Sequence, residues 1–214
     1  MKTRRFFRLL LALLFLSVFS TTKAQQPLSS LQIATAHKKA VAEATMYHNK
    51  GFHVFRSSHD MQTLLENFYK DVYRETQPGQ RVYLWAMGTA KASTTAEAEI
   101  QALDQAKQHF PGLLLMYFNS WVSSNKHLTV NDKKLLINAI NKSEKSITQK
   151  IAVRKPDKEV IFMKSKKGRY QASVRVLYKQ MPLREMARNE IKKQLRKTTG
   201  WSENKMNQFL HFKN

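Results

Sequence analysis

Chemistry in this 214-residue chain has to come from seven histidines, 15 acidic residues and a large excess of cations, 37 Lys and Arg. The histidines, His37, His48, His53, His59, His109, His127 and His211, are scattered, and no two of them sit at metal-ligand spacing beside a carboxylate. His59-Asp60 is the nearest approach to an acid–base pair. Adjacent residues just before an apolar helical run serve a helix cap better than a proton relay. There is no GxSxG, no phosphate loop and no dinucleotide glycine pattern, and Gly88 stands alone in its strand. The absence of cysteine excludes a thiolate nucleophile, a disulfide, a thiolate metal site and a lipid-modified cysteine. No catalytic residue, metal or cofactor is therefore expected. A hydrolase with a site assembled from distant residues stays open as a rival, recognisable by a deep pocket holding His with Asp, Glu or Ser.

The cations are better organised. Lys164, Lys166, Lys167 and Arg169 crowd one predicted hairpin tip, and Arg184, Arg188, Lys192 and Arg196 recur every four residues with Lys193 beside them. Each cluster has an ordinary explanation: a solvated helix face for the second, a guard against strand aggregation for the first. Each is also a candidate surface for an anionic polymer, a lipid head group or another envelope protein, most of all if the two form one contiguous face. Nucleic acid is not expected, because no recognition motif accompanies the charge. Tyr83, Trp85 and Met87 share one face of an apolar strand. They are read as core beneath the terminal helices, or else as an oligomer or partner face.

The elements that position these residues start from residues 82–87, where β-branched and aromatic side chains make a strand apolar on both faces. Gly88 is expected to end it. Ser93 or Thr94 then caps an alanine-rich helix with Ala96, Ile100, Leu103, Ala106 and Phe110 as its apolar stripe, and Pro111-Gly112 breaks or kinks it before a second apolar run, residues 113–122. Upstream, residues 28–48 read as a weakly amphipathic helix with Leu31, Ala34, Val41 and Thr45 inside. A short strand at 52–55 and a stronger helix with Met61, Leu64, Leu65, Phe68 and Val72 on one face follow, and Gln77-Pro78-Gly79 closes the unit as a turn. Downstream, a helix from Thr129 or Asn131 to about residue 149 buries Leu136, Ile140, Ser143 and Ile147. Alternation at 160–164 and 170–178 around Lys166-Lys167-Gly168-Arg169 predicts a hairpin, with Gly168 at positive φ. Pro182 then opens a helix with Leu183, Ala187, Ile191 and Leu195 inside, ended by Gly200, and residues 201–212 form a last helical piece.

The first 24 residues, with Lys2, Arg4, Arg5 and Arg8 before an apolar run at 9–19 and Thr22-Lys23-Ala24 at the end, read as a secretory signal peptide, so the mature chain is expected to begin at Gln25. Thr3-Arg4-Arg5-Phe6-Phe7 also partly resembles a twin-arginine signal; ordinary export is favoured because the core is strongly apolar. Five of the 37 basic residues leave with the leader, so 32 remain against 15 acidic ones, a net +17. No later apolar run approaches spanning length, so no transmembrane span is expected in the mature chain, which should be periplasmic or secreted.

The order strand, glycine, alanine-rich helix, helical segment, hairpin resembles the LPP-twenty family of small bacterial envelope lipoproteins, whose fold is shared by the N-terminal domain of FlgT-type flagellar proteins. Trp85-Ala86-Met87-Gly88-Thr89-Ala90 resembles the family's G-x-A strand end. Ala96, Ala98, Ala102 and Ala106 resemble its alanine-punctuated helix, and Lys167-Gly168-Arg169-Tyr170 with Val174 and Val176 is similar to its hairpin. The likeness covers residues 81–180 and implies an envelope module without a defined reaction. The chain departs from the family in its missing lipidation cysteine, its basic turn and its long helical flanks. The expected architecture is α+β: a small antiparallel sheet (strand-helix-helix-hairpin) packed by long helices. It is divided into a leader (1–24), an N-terminal helical segment (25–78), an α+β core (79–180) and a C-terminal helical extension (181–214). The expected role is that of a non-catalytic envelope or interaction protein.

Overall fold

The computed structural model describes residues 26–77 and 79–210, so the expected leader and cleavage site lie outside the described residues, as do His211 and Phe212. The elements in chain order are α1 (Ser30–Asn49), β1 (His53–Val54), α2 (Met61–Tyr73), β2 (Glu75–Gln77), β3 (Gln80–Arg81), β4 (Tyr83–Ala92) and α3 (Thr95–Ser124). They continue with α4 (Val130–Lys142), α5 (Glu144–Ala152), β5 (Lys158–Lys166), β6 (Arg169–Lys179), α6 (Gln180–Thr199) and α7 (Glu203–Leu210). The fold is α+β. One antiparallel sheet has the order β1-β5-β6-β4, and β2 and β3 pair separately as a small hairpin. No helix among the described residues is long and apolar enough to cross a membrane.

The sheet is covered on both faces. On one, α3 lies along β4 and β6, with α5 beside it and α4 and α6 continuing the same apolar cluster. On the other, α1 and α2 pack together, and two smaller clusters join Tyr47, Phe52, Met61 and Leu65 to Phe162, and Phe68 and Val72 to Tyr83 and Leu177. Every helix start from α1 to α4 carries a side-chain cap: Ser29, Asp60, Thr94 and Thr129 each accept from an N–H in the first turn.

Several local expectations need correction. Gly88 does not end the strand, because β4 runs on to Ala92 in register with Tyr170. What the glycine supplies is space: a Cβ there would lie 2.0 Å from Ala102 O and 2.5 Å from Ala106 N. That close approach also moves the stripe of α3, which buries Ala98, Ala102, Ala106 and Phe110 while Ala96 and Ile100 stay exposed. Pro111 neither breaks the helix nor ends it, and α3 continues to Ser124. An interior proline costs about 3 kcal/mol. Phe110, Leu114, Phe118 and Val122, fully buried around it, each contribute about 1.5–3 kcal/mol by leaving water, which outweighs the loss. Finally, α1 buries Ala36, Ala40, Ala44 and Tyr47, whereas Leu31 and Val41 face solvent. Close packing of α1 and α2 favours small side chains over large ones.

The helix expected from 129 to 149 is two, α4 and α5, divided at a buried Ser143, yet Leu136, Ile140, Ser143 and Ile147 are all inside. The hairpin stands as expected, with Lys166 paired to Arg169 and Gly168 at φ +74°. Lys167 is also left-handed, at φ +53°, so both central residues have the positive φ of a type I′ turn. A β-branched residue resists that region. Gly168→Val should therefore destabilise the domain by about 1 kcal/mol or more, read as a lower urea midpoint; a midpoint equal to wild type would refute the turn's role.

Candidate functional site

The two cation clusters occupy opposite ends of β6. Arg169 opens that strand and Gln180 follows it, so eleven residues at about 3.3 Å each put roughly 35 Å between the hairpin tip and the start of α6. From there α6 packs on α4 and α5 and not back along the sheet. One contiguous basic face is thus not formed.

Their electrostatics differ as well. On α6, Arg188 pairs with Glu185, Lys193 with Glu190 at 2.9 Å, and Lys192 and Arg196 both with Glu203. Burial lowers the pKa of Lys192, and the nearby Arg188 and Arg196 lower it further. Arg184 is not on a free face: its guanidinium stacks over Tyr117 at 3.5 Å from the ring centre and lies against the Gln180 amide. Burial pushes its pKa down, against the stabilising pull of Tyr117. Three of the five cations, Lys192, Lys193 and Arg196, line a groove of about 470 Å³ with Lys150, and Glu190 and Glu203 answer them there.

At the hairpin tip the balance is reversed. Lys164, Lys166, Lys167 and Arg169 line a groove of about 480 Å³ together with Tyr170, Gln171 and one residue the sequence reading missed, Lys91. The Ala92–Tyr170 and Lys91–Gln171 pairings bring Lys91 there from β4, a long-range register that charge counting along the chain does not reveal. None of these five cations is ion-paired among the described residues, and no carboxylate lines the groove. Lys164 is half-buried with its Nζ 4.6 Å from the Phe52 ring centre; Lys91, Lys166, Lys167 and Arg169 are exposed. The acidic residues at the start of α3 are engaged elsewhere. Glu97 accepts from Ser93 Oγ at 2.8 Å, which with the Thr94 hydroxyl lowers its pKa, and Glu99 pairs with Arg56 at 2.7 Å.

A third groove, about 500 Å³ and open to solvent, gathers His48, His53 and His59 with Ser58 and Asp60 between the end of α1 and the start of α2. Both Asp60 oxygens are committed to the cap, accepting from Thr63 N at 2.8 Å and Thr63 Oγ1 at 2.7 Å, and these bonds lower the Asp60 pKa. Among the residues lining this groove no carboxylate bonds to an imidazole. Among the described residues no three His, Asp or Glu side chains are arranged to hold a metal.

Tyr83 is buried against α2. Trp85 and Met87 are 37% and 41% exposed, with Phe68 edge-on to Trp85 and Tyr47 Oη donating to Met87 Sδ at 3.8 Å. Covering helices thus reach one end of this strand face and leave the rest open. Comparison with protein-family models, with curated proteins and with solved structures returns no match.

Proposed function

We propose that this chain is an exported, non-catalytic interaction module of the bacterial envelope that holds an anionic component in the groove at its hairpin tip. The observation that carries the reading is the set of five cations around one concavity, none of them ion-paired among the described residues and none facing a carboxylate in its lining. Like charges gathered without counter-charge repel one another, and an anionic ligand relieves that repulsion. Lys167 adds to the case: in a type I′ turn Asn, Asp or Gly holds the left-handed position at lower cost than Lys, yet a cation stands there. The likeness of residues 81–180 to the LPP-twenty family supports placing the module in the envelope, and the leader supports export.

Binding to a soluble acidic polysaccharide and to vesicles of anionic phospholipid, at low and high salt, tests the reading. Exposed charges are screened over about 10 Å at 0.1 M ionic strength, so affinity should fall steeply with salt. Lys166→Glu with Arg169→Glu should weaken it at least tenfold, whereas Lys197→Glu on α6 should change it little. Lys167→Asn should weaken binding while raising the urea midpoint, because Asn tolerates the left-handed region better. Failure to bind any anion at low salt, or equal loss from the α6 variant, overturns the proposal.

A further inference from the structure

β4 is an edge strand. β6 pairs with it along its whole length from Tyr83 to Ala92, and among the described residues no strand pairs its other side. Gln105 Oε1 accepts from Thr89 N at 3.3 Å and so takes one donor on that open side. Strand groups alternate in direction, so Trp85, Met87 and Lys91 turn their N–H and C=O groups the same way as Thr89. The side chains of these four residues alternate with the buried Ala86, Gly88 and Ala90, and all four are exposed on the face where α1 and α2 cover β5 and β6 but only partly cover β4. The result is a ledge: an open backbone ladder, two large apolar side chains at one end, and Lys91 at the other, where it enters the basic groove.

We infer that this edge accepts an extended peptide as a fifth strand, antiparallel to β4, with apolar residues set against Trp85 and Met87 and an acidic N-terminal end lying in the groove of Lys91, Lys164, Lys166, Lys167 and Arg169. This rests on the reading of the groove as an anion site and names its partner class, an acidic segment of another protein. Two features select it. A peptide can complete the backbone ladder, which a polysaccharide or head group cannot do. Charge complementarity sets its direction, because the five groove cations gather at the C-terminal end of β4, where an antiparallel partner brings its N-terminal residues. A second copy of this chain brings more positive charge in place of the counter-charge the groove lacks.

Fluorescence anisotropy with the whole mature chain tests this. The probe is a labelled peptide with four glutamates followed by alternating threonine and valine; the comparison peptides are the same sequence N-methylated at the ladder-forming positions, the reversed order with glutamates last, and tetraglutamate alone. The unmethylated, glutamate-first peptide should bind at least tenfold more tightly than all three, and Met87→Glu should weaken it with an unchanged circular dichroism spectrum. N-methylation blocks strand pairing without touching charge or the protein's fold. Equal binding of the methylated peptide would overturn strand addition while leaving the anion site standing, and so would retention only on polysaccharide or vesicles. Loss of binding to every anion overturns both. Self-association of the chain that competes the peptide off would assign the edge to a second copy and likewise reject the proposal.

Discussion

Gly88→Ala should destabilise the domain by about 3 kcal/mol or more, a large effect for one methyl group. The added Cβ meets Ala102 O at 2.0 Å, Ala106 N at 2.5 Å and Gln105 Cβ at 2.9 Å, and two of these three atoms belong to the backbone of α3. A side chain can rotate away; a helix backbone moves only as a body. To make room α3 must lift from β4, which opens the contacts of Ala98, Ala102, Ala106 and Phe110 together, at the upper end of overpacking costs. Gly112→Ala in the same helix is the matched control: nothing lies within 4 Å of its Cβ position, so it should stabilise by about 0.5–1 kcal/mol through helix propensity. Urea midpoints of the two variants should move in opposite directions. A Gly88→Ala midpoint at or above wild type would show that α3 does not seat on this strand as described.

Removing Glu43 should cost about 3–5 kcal/mol, because it strands a buried charge. Arg175 projects from β6 into the layer beneath α1 and α2 and is 1% exposed. Its Nη2 pairs with Glu43 and donates to Tyr47 Oη at 3.3 Å, while its Nη1 has no hydrogen-bond partner among the described residues. Tyr47 Oη also shares a 2.7 Å hydrogen bond with Ser173 Oγ, and Tyr69 Oη donates to Glu43 Oε2 at 2.6 Å. Burial, then this bond to a carboxylate, pushes the Tyr69 hydroxyl pKa well up. The rings of Tyr47, Phe68 and Phe162 stand 5.2–5.6 Å from the guanidinium. Glu43→Ala leaves that cation with aromatic faces and a hydroxyl but no counter-charge. Arg175→Met should cost less, since a flexible apolar chain fills the space without a buried charge. The double variant Glu43→Leu/Arg175→Met should recover much of the loss, as apolar replacements of buried ion pairs do. A double-mutant cycle from denaturation curves gives the coupling. A coupling below about 0.5 kcal/mol would mean the pair does not hold the α1–α2 layer to the sheet.

What could be read from the sequence followed the range of the interactions. Strand alternation at β5 and β6, the positive φ of Gly168, the apolar face of α2 and the stripe of α6 are local patterns, and each lies where residue spacing placed it. Tyr83 likewise reads and sits as core, while the rest of its strand face depends on where α1 stops, which no periodicity encodes. The face of α1 and the first turns of α3 differ from the expected stripes, though Ala106 and Phe110 are buried as expected, because alanine is a weak hydrophobic signal and its value here is thinness. Gly88 opposite Ala102 and Ala106 follows the same logic across two elements. Arg175 sits between Val174 and Val176 in a strand that reads as apolar, and its partner lies too far along the chain for spacing to suggest it. At the candidate groove, four of five cations were legible as a cluster; Lys91 and the contrast with the neutralised α6 set needed the fold.

The distance between Glu43 and Arg175 along the chain, 132 residues, also sets an order of events during synthesis. The α1–α2 layer is made first, but its docking surface includes β6, which is among the last elements to emerge. At roughly 5–20 residues per second, the first helices wait on the order of ten seconds for the strand they cover. During that interval α1 and α2 have only each other to pack on, and Glu43 lacks the cation it pairs with. The α1–α2 layer therefore seats on the sheet late, once β6 has been made.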